Sequence, residues 1–595
     1  LKRLSRKQIS VLLTIIALVL WSHSILNARL EIGYFGLIHG LPVTFFIALA
    51  FLAIASSVLW SSKGKHGKLL GLQLLILVSA LWLIPTVTGG SPPVVNHDYR
   101  NLGMIDYIVN HGHFSTEVAG YFSWPGTFII SAIITKMALI NFETLIGMGL
   151  MPFLMQLLCL APLYIFLRNT LGEERSNYCW LGCWLFYLAE WVVHVHLNPQ
   201  GFGFFFLLTL LALISNPKIW QKETKRAPLF IVIMVVFAAL AVTHLLTAMA
   251  VLCVLIALSL LKRDKHMAFA IVACITLLAT WNLTEASMLG IKIKSSEGFV
   301  TLQQTTPAGE ATPLGETTPP GETAPSGETT PPGEVLEPAR FPRTMLVLNP
   351  ELITEREITR RMSGSQEHIS LVRVRLLFSA IFALIGLVGA ILVCLFRRDL
   401  KTGIPLLIIS LAPLILLSLS AQYGELLPRV YLFALPGMSY FGAMLMDIKS
   451  KIPMIILCLL LVILCPLHVV SRYGNQEVDY ISRAELSGVN FFHDSVSKGH
   501  VLGPWPIGVM KDIDKYRQTN LGKVDWRNID LLIAGQSIKD LPLYVSITRQ
   551  DEKKFELSKN NNDYLHELKE KINNNINCAL IYDNPDSILY AKEIE

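Results

Sequence analysis

The sequence predicts a polytopic α-helical membrane protein with a small α/β domain at its C-terminal end. Three observations predict it. Apolar runs of about 16 to 25 residues recur along the chain, long enough to cross a hydrocarbon core about 30 Å thick. Of the 595 residues, 52% are hydrophobic and only 16% charged, which suits lipid-facing helices. The final stretch from 472 onward is polar instead, and alternates helical patterns with short strand-like runs.

The first spans fall at about 9–27, 36–60 and 69–88. Lys2-Arg3 and Arg6-Lys7 precede the first run, and no small-residue cleavage site follows it. The expectation is therefore a retained helix, not a signal peptide. The connection Lys63-Gly64-Lys65-His66-Gly67-Lys68 is basic, like the N-terminus. By the positive-inside rule both are cytoplasmic, so the next loop is outside. That loop, within 89–144, is a polar island. It leaves the membrane through Gly89-Gly90-Ser91-Pro92-Pro93, carries Asn96-His97-Asp98-Tyr99-Arg100-Asn101, and closes with Tyr121-Phe122-Ser123-Trp124-Pro125-Gly126.

Whether 124–140 crosses is decided by parity. If it crosses, the basic connections Arg168–Arg175, Lys218–Arg226, Lys262–Lys265, Arg397–Lys401 and Lys449–Lys451 all fall outside. If it dips in and returns, they all fall inside, and the opposite loops at 190–201, 243–247 and 421–429 carry a single basic residue, Arg429. The reading is a re-entrant or interfacial helix, tolerable where protein or a wet cavity shields it. Spans then follow at about 145–167, 177–193, 202–215, 228–243, 245–261 and 267–284, and at about 372–396, 403–420, 428–446 and 452–470. That makes about thirteen crossings, with the N-terminus cytoplasmic and the C-terminus outside, in a cell membrane. The pair 228–261 reads as a tight hairpin turning near Thr243-His244.

The organisation is thus 1–88, three helices; 89–144, the acidic loop and re-entrant helix; 145–284, helices; 285–371, an external loop; 372–471, helices; and 472–595, the external domain. Residues 305–334 repeat a six-residue unit of the form Thr-Thr-Pro-Pro-Gly-Glu. Nothing in it builds a core, and the reading is an extended insertion. In the last domain, strand-like runs lie at 500–503, 531–534, 543–547 and 579–582. Asp583-Asn584-Pro585 then turns into a terminal hairpin.

The net charge is +6 and no basic-aromatic patch is present, so nucleic acid is not an expected partner. Of nine cysteines, all but Cys578 lie inside apolar runs, which argues against a disulfide framework or a zinc site. Cys179 and Cys183 share a helix face and read as small buried hydrophobes.

The order of motifs resembles a known family. An acidic residue in an external loop is followed by an amphipathic segment, Leu102–Val109, and Asn110-His111-Gly112-His113-Phe114. The Tyr121–Gly126 string and a re-entrant helix come next. This is similar to the GT-C glycosyltransferase superfamily: protein O-mannosyltransferases, aminoarabinose transferases and the oligosaccharyltransferase catalytic subunit. Leu197-Asn198-Pro199-Gln200-Gly201-Phe202, Thr243-His244-Leu245-Leu246-Thr247, Pro428-Arg429-Val430-Tyr431 and Ile581-Tyr582-Asp583-Asn584 resemble an archaeal-type branch of it. The acidic loop here follows the third span, not the first, which implies two additional N-terminal helices.

The resemblance implies transfer of a sugar from a polyprenyl- or dolichyl-phosphate-linked donor to an acceptor protein, lipid or glycan on the extracytoplasmic side. An external carboxylate there deprotonates the acceptor or holds a divalent metal, a role that falls first to Asp98. A positioned carboxylate suits a weak hydroxyl or amide nucleophile. Its alternative is a helix-capping or loop acid. Asp106, about two turns on, and Glu117 are supporting candidates. Arg429 would meet the charge on the leaving phosphate; the alternative is an interface anchor. Glu190 and His194, at i, i+4 spacing, can hold a divalent cation such as Mg or Mn; with His196 they alternatively bond substrate or shape the interface. His244 lies at membrane depth, where polar residues often serve function. It is otherwise a satisfied structural histidine. Rival readings are a polysaccharide polymerase or ligase using lipid-linked sugars, a flippase or other transporter, and a non-enzymatic surface protein.

Overall fold

The computed structural model describes residues 4–60, 62, 64–88, 97–115, 120–192, 196–217, 227–263, 265–284, 365–419, 426–448, 452–474, 476–496, 500–502, 543–556, 564–574 and 578–592. The hexapeptide repeats and the 531–534 run lie outside the described residues.

Among the described residues, eight helices are long and apolar enough to cross a membrane, and shorter apolar helices pack among them. The sequence reading places about thirteen spans, and several of them correspond to the shorter helices. The apolar run at 69–88 is broken at Leu83, where Pro85 opens a separate turn, Ile84–Val87. The run at 403–420 changes to a 3-10 helix over Ala412–Leu419. Pro413 accounts for this, since it removes one α-helical donor and clashes with the preceding turn.

Three helices open the chain: α1 (Arg6–Asn27), α2 (Val43–Trp60) and α3 (Gly67–Trp82). Ser5 starts α1 with a capping box to Gln8. Gln73, on α3, is fully buried and joins all three. Its amide nitrogen donates to Ser10 Oγ at 2.9 Å and Thr14 Oγ1 at 2.8 Å, and its oxygen accepts from Ser56 Oγ at 2.9 Å. Ser10 Oγ in turn donates to the Ala55 carbonyl at 2.8 Å. The amide is thereby satisfied inside the protein, as a group at membrane depth must be.

Next come α4 (His97–His111) and α5 (Gly126–Ala138). The thirteen residues of α5 extend only about 20 Å, too short to cross alone. Leu139 ends it in the left-handed region at φ 55°. The bundle continues with α6 (Met151–Leu171), α7 (Ser176–Ala189) and α8 (Pro199–Ile214). A single extended residue, His244, separates α9 (Ala227–Thr243) from α10 (Leu245–Lys262). Then follow α11 (Lys265–Thr284), α12 (Gln366–Ile391), α13 (Leu400–Leu411), α14 (Leu426–Met444) and α15 (Ile452–Tyr473). One continuous apolar core runs through the bundle, with α7 and α14 buried along nearly their whole length. All nine cysteines are unpaired, and Cys179 and Cys183 are buried in α7.

Several basic connections meet at one end of this bundle. Asp447 binds Arg175 at 3.0 Å and also Arg397. Asn177, two residues after Arg175, donates to the carbonyls of Gly64 at 2.8 Å and Ser62 at 3.2 Å. The connections at 62–66, 173–177, 397 and 447 therefore share a face.

The C-terminal part contains α16 (Arg483–Ser495) and α17 (Tyr564–Asn573) with β1 (His500–Leu502), β2 (Leu543–Thr548), β3 (Cys578–Asn584) and β4 (Ser587–Lys592). The sheet order is β1-β2-β4-β3, with β1 parallel to β2 and the other pairs antiparallel. The terminal hairpin turns on Asn584. Its Oδ1 accepts the N–H groups of Asp586 at 3.0 Å and Ser587 at 2.8 Å, an Asx turn. Its Nδ2 donates to the Ala484 carbonyl at 2.8 Å and to the Tyr582 hydroxyl at 2.9 Å. Phe491 of α16 stacks on Tyr582 with centroids 4.6 Å apart. The Tyr-Asp-Asn string singled out in the sequence is thus a fastening of hairpin to helix. Asn584→Ala removes four hydrogen bonds, and is expected to cost about 1–3 kcal/mol. Limited proteolysis should cut 472–595 faster in the variant; an unchanged rate contradicts this.

Candidate active site

Asp98 enters the first turn of α4, where a negative side chain suits the helix dipole. The sequence placed Asp98 in an external loop. The structure instead makes Asp98 only 2% exposed. Its Oδ1 lies 2.5 Å from His196 Nδ1, and both side chains are 3% exposed. One turn on, Asn101, also buried, donates to the Leu197 carbonyl at 2.6 Å. So Asp98 and Asn101, on one face of α4, hold the segment that leads into α8.

That segment is ordered by its own cap. Asn198 precedes α8, and its Oδ1 accepts the Gly201 N–H at 2.6 Å. Its Nδ2 reaches His196 Nε2 at 2.8 Å. Gly201 is required there, because a Cβ would sit 2.2 Å from the His196 carbonyl oxygen.

Just before that segment, four helices grip the chain from Leu188 to Val192. Gln156 of α6 donates to Glu190 Oε2 at 2.5 Å. His468 and Arg472, one turn apart on α15, bind the carbonyls of Leu188 at 2.9 Å and Val192 at 2.5 Å. Tyr431 of α14 donates to the Ala189 carbonyl at 3.0 Å. Trp191, following α7, donates to Ser379 Oγ of α12 at 3.0 Å, with the Arg375 guanidinium 5.3 Å from its ring centroid.

The structure thus separates residues that the sequence grouped. His196 belongs to Asp98, whereas Glu190, fully buried, belongs to Gln156 and lies within electrostatic reach of Arg472. His194 and Glu117 lie outside the described residues. Asp106 is exposed where Asp98 is buried. Eight residues of helix leave the two about 80° apart, so they do not share a face. Arg429 is half-buried in the first turn of α14. It stands two residues before Tyr431, a rotation of about 200°, so Tyr431 presents the face that meets Ala189. His244 caps α10: its Nδ1 lies 2.7 Å from Thr247 Oγ1 and accepts the Thr247 N–H at 3.3 Å. That is the structural role weighed for it.

Arg472 was missed by sequence reasoning. The signal was present: an ionisable residue in the last turn of an apolar helix is costly and rarely idle. Tyr99, beside Asp98, is buried; that burial, then the Glu143 and Asp98 carboxylates, hold its hydroxyl pKa well above the ordinary range.

A divalent cation fits these groups poorly. Both ring nitrogens of His196 are engaged, one Glu190 oxygen is taken by Gln156, and Glu190 and Asp98 serve different partners. Among the described residues, no three His, Cys, Asp or Glu side chains are placed to hold a metal.

No protein-family model and no curated protein sequence matches the chain. Solved structures do. ArnT from Cupriavidus metallidurans, in the apo state, is 10% identical over 88% of this chain and 97% of its own, with a TM-score of 0.47. The Archaeoglobus fulgidus oligosaccharyltransferase AglB, in complex with an inhibitory peptide and a dolichol-phosphate, is 9% identical over 84% of this chain and 72% of its own, with a TM-score of 0.47. The Archaeoglobus fulgidus oligosaccharyltransferase complex with Zn and sulfate is 12% identical over 83% of this chain and 70% of its own, with a TM-score of 0.46.

Proposed function

We propose that this chain is a membrane glycosyltransferase that moves a sugar from a polyprenyl- or dolichyl-phosphate donor to an acceptor on the extracytoplasmic face. The observation that carries the reading is the buried Asp98–His196 pair, built where four helices grip one loop of a membrane bundle. Burying a carboxyl group with an imidazole in a low-dielectric site is costly, and such placements mark function more often than chance does.

Asp98 takes the proton of the acceptor hydroxyl or amide as the acceptor atom bonds to the anomeric carbon. The bond from that carbon to the phosphate oxygen breaks, and the phosphate leaves with the electron pair. Arg429 meets that charge with a planar guanidinium. Among the described residues the donor set fits a metal poorly, and each step uses side chains of this chain alone.

Membranes holding the chain should transfer label from a pool of tritiated polyprenyl-phosphate hexoses to acceptor material; no transfer above that of membranes lacking the chain overturns the reading. Arg429→Ala is expected to lower that transfer by about 10²- to 10³-fold, as loss of a charge-stabilising donor does elsewhere. Retention of full activity would instead leave Arg429 as an interface anchor. The placement of the C-terminal domain outside is tested at Cys578. A membrane-impermeant maleimide should label intact cells, and Cys578→Ser should abolish that signal. Labelling only after permeabilisation reverses the orientation.

A further inference from the structure

We infer that Asn198 and His196 form a positioning pair that holds Asp98 as an oriented carboxylate, where the family resemblance implies a cation. The inference rests on Asp98 being the base.

The Gly201 N–H can only donate, so the Asn198 atom 2.6 Å from it is the amide oxygen. That settles which way the amide points. Its NH₂ group then faces His196 Nε2 at 2.8 Å, and Nε2 accepts. A neutral imidazole with Nε2 accepting carries its proton on Nδ1. Nδ1 lies 2.5 Å from Asp98 Oδ1, which therefore accepts. The order of donation is Gly201 N–H to Asn198, Asn198 to His196, and His196 to Asp98.

Two consequences follow. Neither His196 nitrogen has a lone pair left for a metal. Oδ1 of Asp98 is fixed by the imidazole, and Oδ2 is the oxygen left to take the acceptor's proton. With both side chains 3% exposed, little water competes for these bonds. The imidazole supplies what a cation would: a positive-ended partner that keeps the carboxylate aimed. Asn198 and His196 act through Asp98 and are positioning residues.

The test uses the full chain in membranes and substitutions that keep the α8 cap. Asp and Ser cap helices about as well as Asn, yet neither offers Nε2 an amide N–H. Asn198→Asp and Asn198→Ser should each lower kcat by about tenfold or more while KM for the labelled lipid-phosphate hexose pool stays within about twofold. Wild-type kcat in both variants means that Asn198 is a cap alone, and overturns the inference. Enzyme dialysed against EDTA should keep at least about half its rate; a loss that Mn²⁺ or Mg²⁺ restores overturns the replacement of the cation. A third readout is independent of activity. In ¹⁵N-histidine spectra of the full chain, the signal assigned by its absence from His196→Gln should be a neutral, Nδ1-protonated imidazole. An imidazolium or an Nε2-protonated ring overturns the tautomer. If Asp98→Asn transfers sugar normally while that signal is present, the base assignment has failed and the hydrogen-bonded chain stands.

Discussion

Asp98→Asn is expected to lower sugar transfer by about 10²- to 10⁴-fold, the usual contribution of a positioned general base. The substitution is a fair one because the geometry survives it. An asparagine Oδ1 still accepts from His196 Nδ1, so α4 stays fastened to the segment entering α8. The neighbouring bond from Asn101 to the Leu197 carbonyl, 2.6 Å long, does not involve Asp98 at all. What the amide lacks is basicity. Insertion, expression and thermal stability should therefore stay near wild type while the rate collapses. Wild-type transfer from a correctly inserted variant would remove Asp98 from the chemistry and leave it as a structural link.

Arg472→Met is expected to cost about 1–3 kcal/mol of stability, the penalty for leaving a buried carbonyl without its donor. Arg472 is 4% exposed and binds the Val192 carbonyl at 2.5 Å. It is also the cation facing Glu190, itself fully buried with Oε2 on Gln156. Methionine has no donor for the buried Val192 carbonyl and no positive charge to set beside Glu190. The measurement is the midpoint of thermal unfolding in detergent. Arg472→Met combined with Glu190→Gln should lose clearly less than the two single changes added together, since each single change already removes the interaction between them. Simple addition of the two losses would show that Arg472 and Glu190 are independent.

The helices were legible because apolar length and punctuation are local properties. The break at Thr243-His244 could be read from one polar residue inside an apolar stretch, and the structure puts a single extended residue there. The terminal hairpin was legible from Asp583-Asn584-Pro585 between two strand-like runs, and β3 and β4 meet at that turn. Helix lengths were less legible. A run of apolar residues does not reveal that Pro413 will tighten it into a 3-10 helix.

Pairings at the site were the hardest to read. Asp98 and His196 are 98 residues apart, and Arg472 binds a carbonyl 280 residues before it. Helical spacing suggested Glu190 with His194, and Asp98 with Asp106. Spacing reports which residues share a face; it carries nothing about which face meets which neighbour. That Glu190 turns to Gln156 while His196 turns to Asp98 depends on how α4, α6 and α8 pack. The Asn198 cap was partly visible, as an Asn-Pro pair before an apolar helix is a start signal.

The hydrogen bonds of Gln73 bear on how the chain is made. Synthesis delivers α1 and α2 before α3, so Ser10, Thr14 and Ser56 are already in place when Gln73 leaves the translocon. An amide entering lipid alone would be an expensive passenger; here its partners are waiting. The first two helices thus serve as a receiving dock for the third, and a chain expressed without them would meet its difficulty at insertion.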